Sequence, residues 1–352
     1  MRPGKRIEEA RVPQSSEPKI TVALAIGDPA GIGPELAAKL TADPDVRAAA
    51  RLIVVGDRRV LERAAAEMGM RLDVEPRPLA DAPAPADRPV LVDLGHLDPA
   101  TIERSVASAA GGRFALDNFT TCLRLAQAGK AAAVCFTPFN KAAMRMAHPS
   151  YDDEIGFVAE VLGTDVVASE FNILEGLWNA RVTSHVPLSR VASLITTPRV
   201  LDDIRLTDRS LREAGVGQPR IAVAGLNPHA GDGGNFGHED DAVIRPAVEQ
   251  AQAEGINAQG PFPPDTVFVR ATKGAFDAVV TMYHDQGQIA MKLIGFDRGV
   301  TLLGGFPFPI CTPAHGSAYD IAGKGVANLG ASKAAVLLAA KMGRKGPARA
   351  AA

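Results

Sequence analysis

Aromatic residues are scarce in this chain, 5% of 352 positions with one Trp and three Tyr. Recognition of single-stranded nucleic acid needs stacking faces along a basic groove, and the sequence offers neither. Neither sign of charge is in excess, with 38 basic against 40 acidic residues. A polyanionic partner is therefore not expected, and nucleic acid is excluded as a target. The three cysteines, Cys122, Cys135 and Cys311, have no CxxC spacing. They read as reduced core residues of a cytoplasmic protein, neither a disulfide framework nor a zinc ribbon. No window approaches the ~18 uncharged apolar residues that span a bilayer, so no membrane association is expected. Residues 1–18 are polar, lack the apolar centre of a signal peptide, and read as a disordered lead-in; residues 344–352 read as a disordered tail.

What the chain does have is alanine, valine and 34 glycines, a palette suited to helices packed closely on a sheet. Apolar runs at 20–26, 51–56, 131–136, 220–226 and 277–280 alternate with amphipathic stretches, the longest from Ile102 to Gly129. That alternation predicts an α/β class with a mostly parallel sheet, and the length favours two domains. The proline-rich segment 72–88 reads as a connector, and Val90–Leu94 as an edge strand. After the first run, Gly27-Asp-Pro-Ala-Gly-Ile-Gly-Pro-Glu35 is a glycine-rich strand-to-helix turn. It matches neither GxGxxG nor Walker A, so it is either a weak anion site or a structural tight turn. The run ending at Phe136 delivers Asn140 and Lys141, the latter a surface cation or a substrate clamp. The acids of Tyr151-Asp-Asp-Glu154 suit a helix start.

Three apolar runs are each followed directly by a histidine: His185, His229 and His284. Ends of neighbouring strands in a parallel sheet lie side by side, so the three imidazoles could converge. Three neutral imidazoles suit Zn²⁺ or another first-row divalent ion with open positions for substrate. Each histidine taken singly is equally a solvated loop residue. The glycine-bearing segment His315–Asn328 is either a dinucleotide-wrapping turn or a structural loop.

The motifs Gly27–Glu35, Asn140-Lys141, Leu226-Asn-Pro-His-Ala-Gly231, Pro264-Asp-Thr266, Met282-Tyr-His-Asp-Gln-Gly287 and His315-Gly-Ser-Ala318 with Asp320-Ile-Ala-Gly-Lys-Gly325 occur in order. In this the chain resembles the PdxA family, the 4-hydroxythreonine-4-phosphate dehydrogenases. The resemblance implies a two-domain α/β/α fold like that of isocitrate and isopropylmalate dehydrogenases, with the active site in the interdomain cleft of a homodimer and at its subunit interface. It implies a first domain of 19–135 plus 305–343, carrying the dinucleotide loop, and a second of 136–304, carrying metal, substrate and dimer contacts. The metal ligands fall on His185, His229 and His284, with zinc expected first and magnesium, manganese or cobalt as options. NAD is the implied cofactor, NADP the second option, held by His315, Gly316, Asp320, Gly323 and Asn328. Lys292 is the substrate-side cation, Asp265 and Asp285 are candidates for support or proton relay, and Lys141 is the candidate base.

The family's substrate-facing His and Thr fall on Glu154 and Ile155, an asparagine on Thr301, and an arginine near Ile310. These departures move charge in the anion-repelling direction. The expectation is an NAD(P)-dependent, metal-requiring dehydrogenase of a hydroxy acid, with decarboxylation as a following step. Its substrate is expected to be non-phosphorylated, such as a carboxylated cis-dihydrodiol. The alternative is 4-phosphohydroxy-L-threonine in pyridoxal phosphate synthesis. A three-histidine hydrolase and a non-catalytic metabolite-binding protein are the rivals from other classes, and neither needs the complete dinucleotide and metal set.

Overall fold

The computed structural model describes residues 19–81, 88–174, 176–295 and 298–344. The expected lead-in, and the expected tail beyond 344, lie outside the described residues. Among these the strands are β1 (Ile20–Ala25), β2 (Ala50–Gly56), β3 (Glu75–Arg77), β4 (Val90–Asp93), β5 (Ala133–Phe136) and β6 (Ser169–Leu174). They continue with β7 (Leu177–Arg181), β8 (Ile221–Ala224), β9 (Ala258–Phe262), β10 (Ala278–Thr281), β11 (Val300–Gly304) and β12 (Ile310–Pro313). All twelve join one sheet in the order β3-β4-β2-β1-β5-β12-β11-β6-β7-β10-β8-β9.

Eight of the eleven neighbouring pairs are parallel. The three antiparallel pairs, β12–β11, β11–β6 and β6–β7, sit together in the middle. The expected mixed α/β fold is present, and its strand directions reverse at that centre. Alternate residues of β1 enter opposite hydrophobic clusters: Val22 and Leu24 go one way, Ala23 and Ala25 the other. A sheet covered on both faces explains why β1, β5, β8 and β10 read as unbroken apolar runs. Each fully buried Leu, Ile or Val in them contributes about 1.5–3 kcal/mol.

The sheet edge is not Val90–Asp93. That strand lies between β2 and β3, and the three-residue β3 is the edge. Pro76 cannot donate to a ladder, which is tolerated in an edge strand.

Two glycines set the approach of the elements that carry the site. A Cβ on Gly27 would lie 2.2 Å from the Thr137 carbonyl oxygen. The N–H groups of the same turn are committed within the protein: Gly27 donates to Thr137 Oγ1, Asp28 to Pro138 O and Ile32 to Ser317 O. The turn is therefore a structural clamp between the β5 loop and the 315–317 segment. Gly112, in the helix Ala109–Gln127, faces the helix Lys141–Ala147, and its Cβ would lie 1.9 Å from Ala143 O. Gly112→Ala is expected to destabilise the fold by roughly 1–3 kcal/mol through overpacking. Denaturant titration reads that loss, and an unchanged midpoint would contradict the close approach.

Candidate active site

The most densely bonded part of the site follows β10. The helix His284–Gly295 begins three residues after Thr281, and each member of Tyr283-His-Asp-Gln-Gly287 except the tyrosine has an identifiable task. Gln286 accepts from Met282 N at 2.7 Å and donates to Gly225 O at 2.8 Å, stapling the β10 turn to the end of β8. Gly287 lets the helix settle on β7, since a Cβ there would meet Asn179 Oδ1 at 2.1 Å. His284 Nδ1 lies 2.6 Å from Asp285 Oδ1. A carboxylate at that distance orients the ring and leaves Nε2 for a ligand.

His185 comes from the loop after β7 and sits at φ +52°, in the left-handed region that residues with a Cβ rarely adopt. Its ring centroid is 5.6 Å from that of His284. Asp153 caps the helix Glu154–Leu162 through Gly156 N and places Oδ2 3.8 Å from His185 Nδ1. The Asp153 carboxylate holds the His185 pKa above its usual value, and His185 in turn holds the Asp153 carboxyl below its own. Two imidazoles with carboxylates alongside are donors of the kinds a first-row divalent ion takes, but these side chains do not by themselves make a complete site.

His229 is placed differently. Strands β7, β10 and β8 are adjacent and parallel, so the three strand ends do lie side by side. The loop after β8, however, runs left-handed from His229 at φ +54° through Gly233 at φ +63°. Buried Asp240 pins it by accepting from Leu226 N, Asn227 N and Asn227 Nδ2. The His229 ring lies tilted against Phe236, at 6.0 Å between centroids, and does not line the cavity shared by His185 and His284. Among the described residues, no group of three or more His, Cys, Asp and Glu side chains could hold a metal ion.

That cavity, of about 300 Å³, lies over the antiparallel middle of the sheet. A crevice where strand order reverses is where α/β sheets commonly bind ligands. Its lining brings together Lys141, Glu154, Lys292, Thr301, His315 and Gly316 with the histidine pair. Glu154 is not an unpartnered carboxylate: its Oε2 lies 3.0 Å from Lys141 Nζ. Three basic side chains in the lining, Lys141, Arg181 and Lys292, face two carboxylates, Glu154 and Glu170. The cavity is thus formally positive by one charge before any histidine protonates.

Other expected positions fall outside the cavity. Ile155 packs against the core, and Ile310 is fully buried in β12, where Thr312 and Pro313 take the cavity side. The two isoleucines are therefore packing residues. Asn140 caps the helix Lys141–Ala147 through Ala143 N and donates to the Tyr319 hydroxyl at 2.8 Å. Asp265 is in the first turn of the helix Pro264–Ala271, away from the lining. Beyond Gly316, the segment carrying Asp320, Gly323 and Asn328 leaves the cavity wall and docks on the helix Gly33–Ala42. Lys39 donates there to Gly325 O and Ala327 O, and Glu35 accepts from Ala327 N.

Sequence reasoning missed the cavity floor. Arg181 at the end of β7, almost wholly buried, bonds to Glu170 and Asn172 of β6 and to Ser184 Oγ, one residue before His185. Gln288 Nε2 reaches Asn172 Oδ1 at 2.7 Å. The available signal was the alternation in Ser169-Glu-Phe-Asn-Ile-Leu174, a half-buried strand whose polar face needed a destination.

A sheet of opposed parallel flanks, with a paired-histidine cleft over their junction, defines an α/β enzyme. Residues 48–339 match the family model described as pyridoxal phosphate biosynthetic protein PdxA. The chain belongs to the PdxA family and is an enzyme of the dehydrogenase kind. It is 59% identical, over 94% of its length and 95% of the relative's, to a Rhizobium meliloti (strain 1021) protein named provisionally as a 4-hydroxythreonine-4-phosphate dehydrogenase. A crystal structure of 4-hydroxythreonine-4-phosphate dehydrogenase from Klebsiella pneumoniae superposes with a TM-score of 0.80 at 34% identity, covering 92% of this chain and 100% of that one. A terephthalate 1,2-cis-dihydrodiol dehydrogenase from Burkholderia xenovorans LB400 superposes with a TM-score of 0.66 at 29% identity, covering 92% and 98%. Among the described residues no helix is long and apolar enough to cross a membrane.

Proposed function

We propose that the chain is a metal-assisted, NAD-dependent dehydrogenase of a four-carbon hydroxy acid ending in a phosphate, of the kind 4-hydroxythreonine 4-phosphate represents, with NADP as the second cofactor option. The observation that carries this reading is that one cavity is lined by the His185–His284 pair, Lys292 and the His315-Gly316 turn together. The preference for a non-phosphorylated substrate is given up on two grounds. The phosphate-bearing substrate is named for the relative at 59% identity and the dihydrodiol for one at 29%. Glu154, the residue that argued against an anion, is paired with Lys141.

His185 and His284 would hold the divalent cation, zinc first, and it would supply Lewis-acid polarisation of the reacting hydroxyl. The protein's own part is positional. Asp285 and Asp153 orient the two rings, Lys292 attracts an anionic end of the substrate, and the 315–316 turn borders the space for the nicotinamide. A homodimer with the cavity at its interface fits the exposed apolar side chains near the site, Leu188, Ile289 and Leu293. In such a dimer a copy of His229 from the second chain would complete the ligand set.

The test is NADH formation from NAD⁺ with zinc, manganese or magnesium added, comparing four-carbon hydroxy acid 4-phosphates with carboxylated dihydrodiols. Turnover of the phosphorylated acids is the expected result. Turnover of dihydrodiols alone would replace the substrate class, and no turnover with any of them would overturn the reading.

A further inference from the structure

The hydrogen bonds of the cavity floor converge on one atom. The helix His284–Gly295 carries His284, Gln288 and Lys292 at a spacing of four residues, which puts them on one face, and all three line the cavity. The middle one is tied down: Gln288 Nε2 donates to Asn172 Oδ1 at 2.7 Å. The same oxygen accepts from Arg181 Nη1. A side-chain amide oxygen has two lone pairs, so these two donors fill it. The other end of the amide, Asn172 Nδ2, faces Thr301 Oγ1 at 3.4 Å.

The second donor leads to the other histidine. Arg181 is 3% exposed at the end of β7, and its Nε donates to Ser184 Oγ at 2.9 Å. Its Nη2 bonds Glu170, so the guanidinium is held in place with its charge matched. The ladder to β10 runs on to Thr183, whose N–H and hydroxyl both donate to Met282 O. Ser184 is the next residue, and His185 follows it in the left-handed region at φ +52°. The Arg181–Ser184 bond therefore acts at the step where the chain leaves the sheet to present its imidazole. Asn172 itself is firmly anchored. It lies in β6, between β11 and β7, with Thr301 and Asn179 as its partners in register.

We infer that Asn172 is a positioning residue of the site: its Oδ1 is the node through which Gln288 and Arg181 set the helix face of His284 and Lys292 against the loop of His185. It acts through these residues and needs no contact with substrate. A buried polar node is costly unless its partners arrive together. It therefore favours the one arrangement in which the two elements are aligned. An apolar floor would pack about as well over a range of small shifts, because the hydrophobic effect is non-directional. Misplacement near 1 Å at reacting groups costs on the order of 10²-fold in rate. The inference rests on the dehydrogenase reading above and deepens it by naming what aligns its groups.

The experiment uses the full chain and compares Gln288→Met, Ser184→Ala, Asn172→Leu, the double variant Asn172→Leu/Gln288→Met, and Asn172→Asp, which keeps the accepting oxygen. It measures kcat per folded molecule on the acid of the panel above that the wild type turns over fastest. Affinity for Co²⁺ alone is read from its visible absorption. Gln288→Met and Ser184→Ala are each expected to lower kcat at least about tenfold, with KM for NAD⁺ unchanged and Co²⁺ held several-fold more weakly. Asn172→Leu should fall further, and Asn172→Asp should recover most of that loss. The double variant should be no worse than Asn172→Leu, because one node serves both. A purely structural role would lower Tm and leave kcat per folded molecule and Co²⁺ affinity at wild-type values. That result in either Gln288→Met or Ser184→Ala overturns the proposal. So does a double variant whose loss is the product of the two single losses. If Asn172→Leu fails to fold, the two outer variants decide on the same criteria. A wild type that binds Co²⁺ but turns over no acid overturns the dehydrogenase reading alone, and the Co²⁺ affinities then judge the node. A wild type that does neither removes the node together with the reading it rests on.

Discussion

His284→Ala is expected to lower kcat/KM by roughly 10³-fold or more while the protein stays folded. Losing a residue that only supports a metal ligand already costs about 10–100-fold in affinity or activity, and a ligand should cost more. The ring is placed at the very start of its helix, 2.6 Å from Asp285 and 5.6 Å between centroids from His185. It is partly exposed to the cavity and lies outside the hydrophobic clusters, so its removal leaves packing intact. Two measurements check this: steady-state kinetics on the best substrate, and bound metal per chain. Asp285→Asn, which keeps the shape and removes the charge behind the ring, should fall in the milder 10–100-fold range. If His284→Ala retained both activity and metal, the histidine pair would lose its role and the cavity would need another catalytic account.

The second large effect is expected at a residue with no chemistry of its own. Gly287→Ala would put a methyl group 2.1 Å from Asn179 Oδ1. Asn179 is fully buried and cannot yield easily, because its Nδ2 donates to Ala180 O, Val279 O and Thr281 Oγ1. The helix must lift instead, and it carries His284 one turn before the glycine and Lys292 further along. A displacement near 1 Å at reacting groups costs on the order of 10²-fold in rate. The overpacking itself should cost roughly 1–3 kcal/mol. The outcome to look for is a large fall in kcat with a modest loss of stability. Full activity would show that the helix does not need this approach to align His284.

These two residues are neighbours in one short motif, yet they differ in how openly the sequence announces them. A histidine directly after an apolar run invites a chemical reading, and the adjacency of β7, β10 and β8 supports it. The glycine reads as punctuation until the sheet shows Asn179 beneath it. The antiparallel centre was the least legible part of the fold. Strands β6, β11 and β12 carry Glu170, Asn172, Thr301 and Thr312 toward the cavity, so their hydrophobic signal is halved. Glycine and proline between 304 and 309 blur the rest. The flanking strands are covered on both faces and were visible for that reason.

Glu154 shows the same limit in the site. From the sequence it is a carboxylate where the family places a histidine, and the natural inference is repulsion of an anion. In the fold its partner is Lys141, thirteen positions earlier, at 3.0 Å. That ammonium offsets its repulsion of an anion, because Coulomb energy depends on separations of a few ångströms.

By itself, then, the sequence determined the α/β class, the family and the identity of the motif residues. Those properties follow from periodicity and from residue types at fixed spacing along the chain. Only the tertiary structure decided that His185 and His284 pair while His229 turns away, that Ile155 and Ile310 are packing residues, and that Arg181 and Gln288 between them tie the cavity floor to both histidine-bearing elements. Each of these depends on backbone conformation at a few loop residues and on contacts between strands distant in the chain, and no local pattern encodes either.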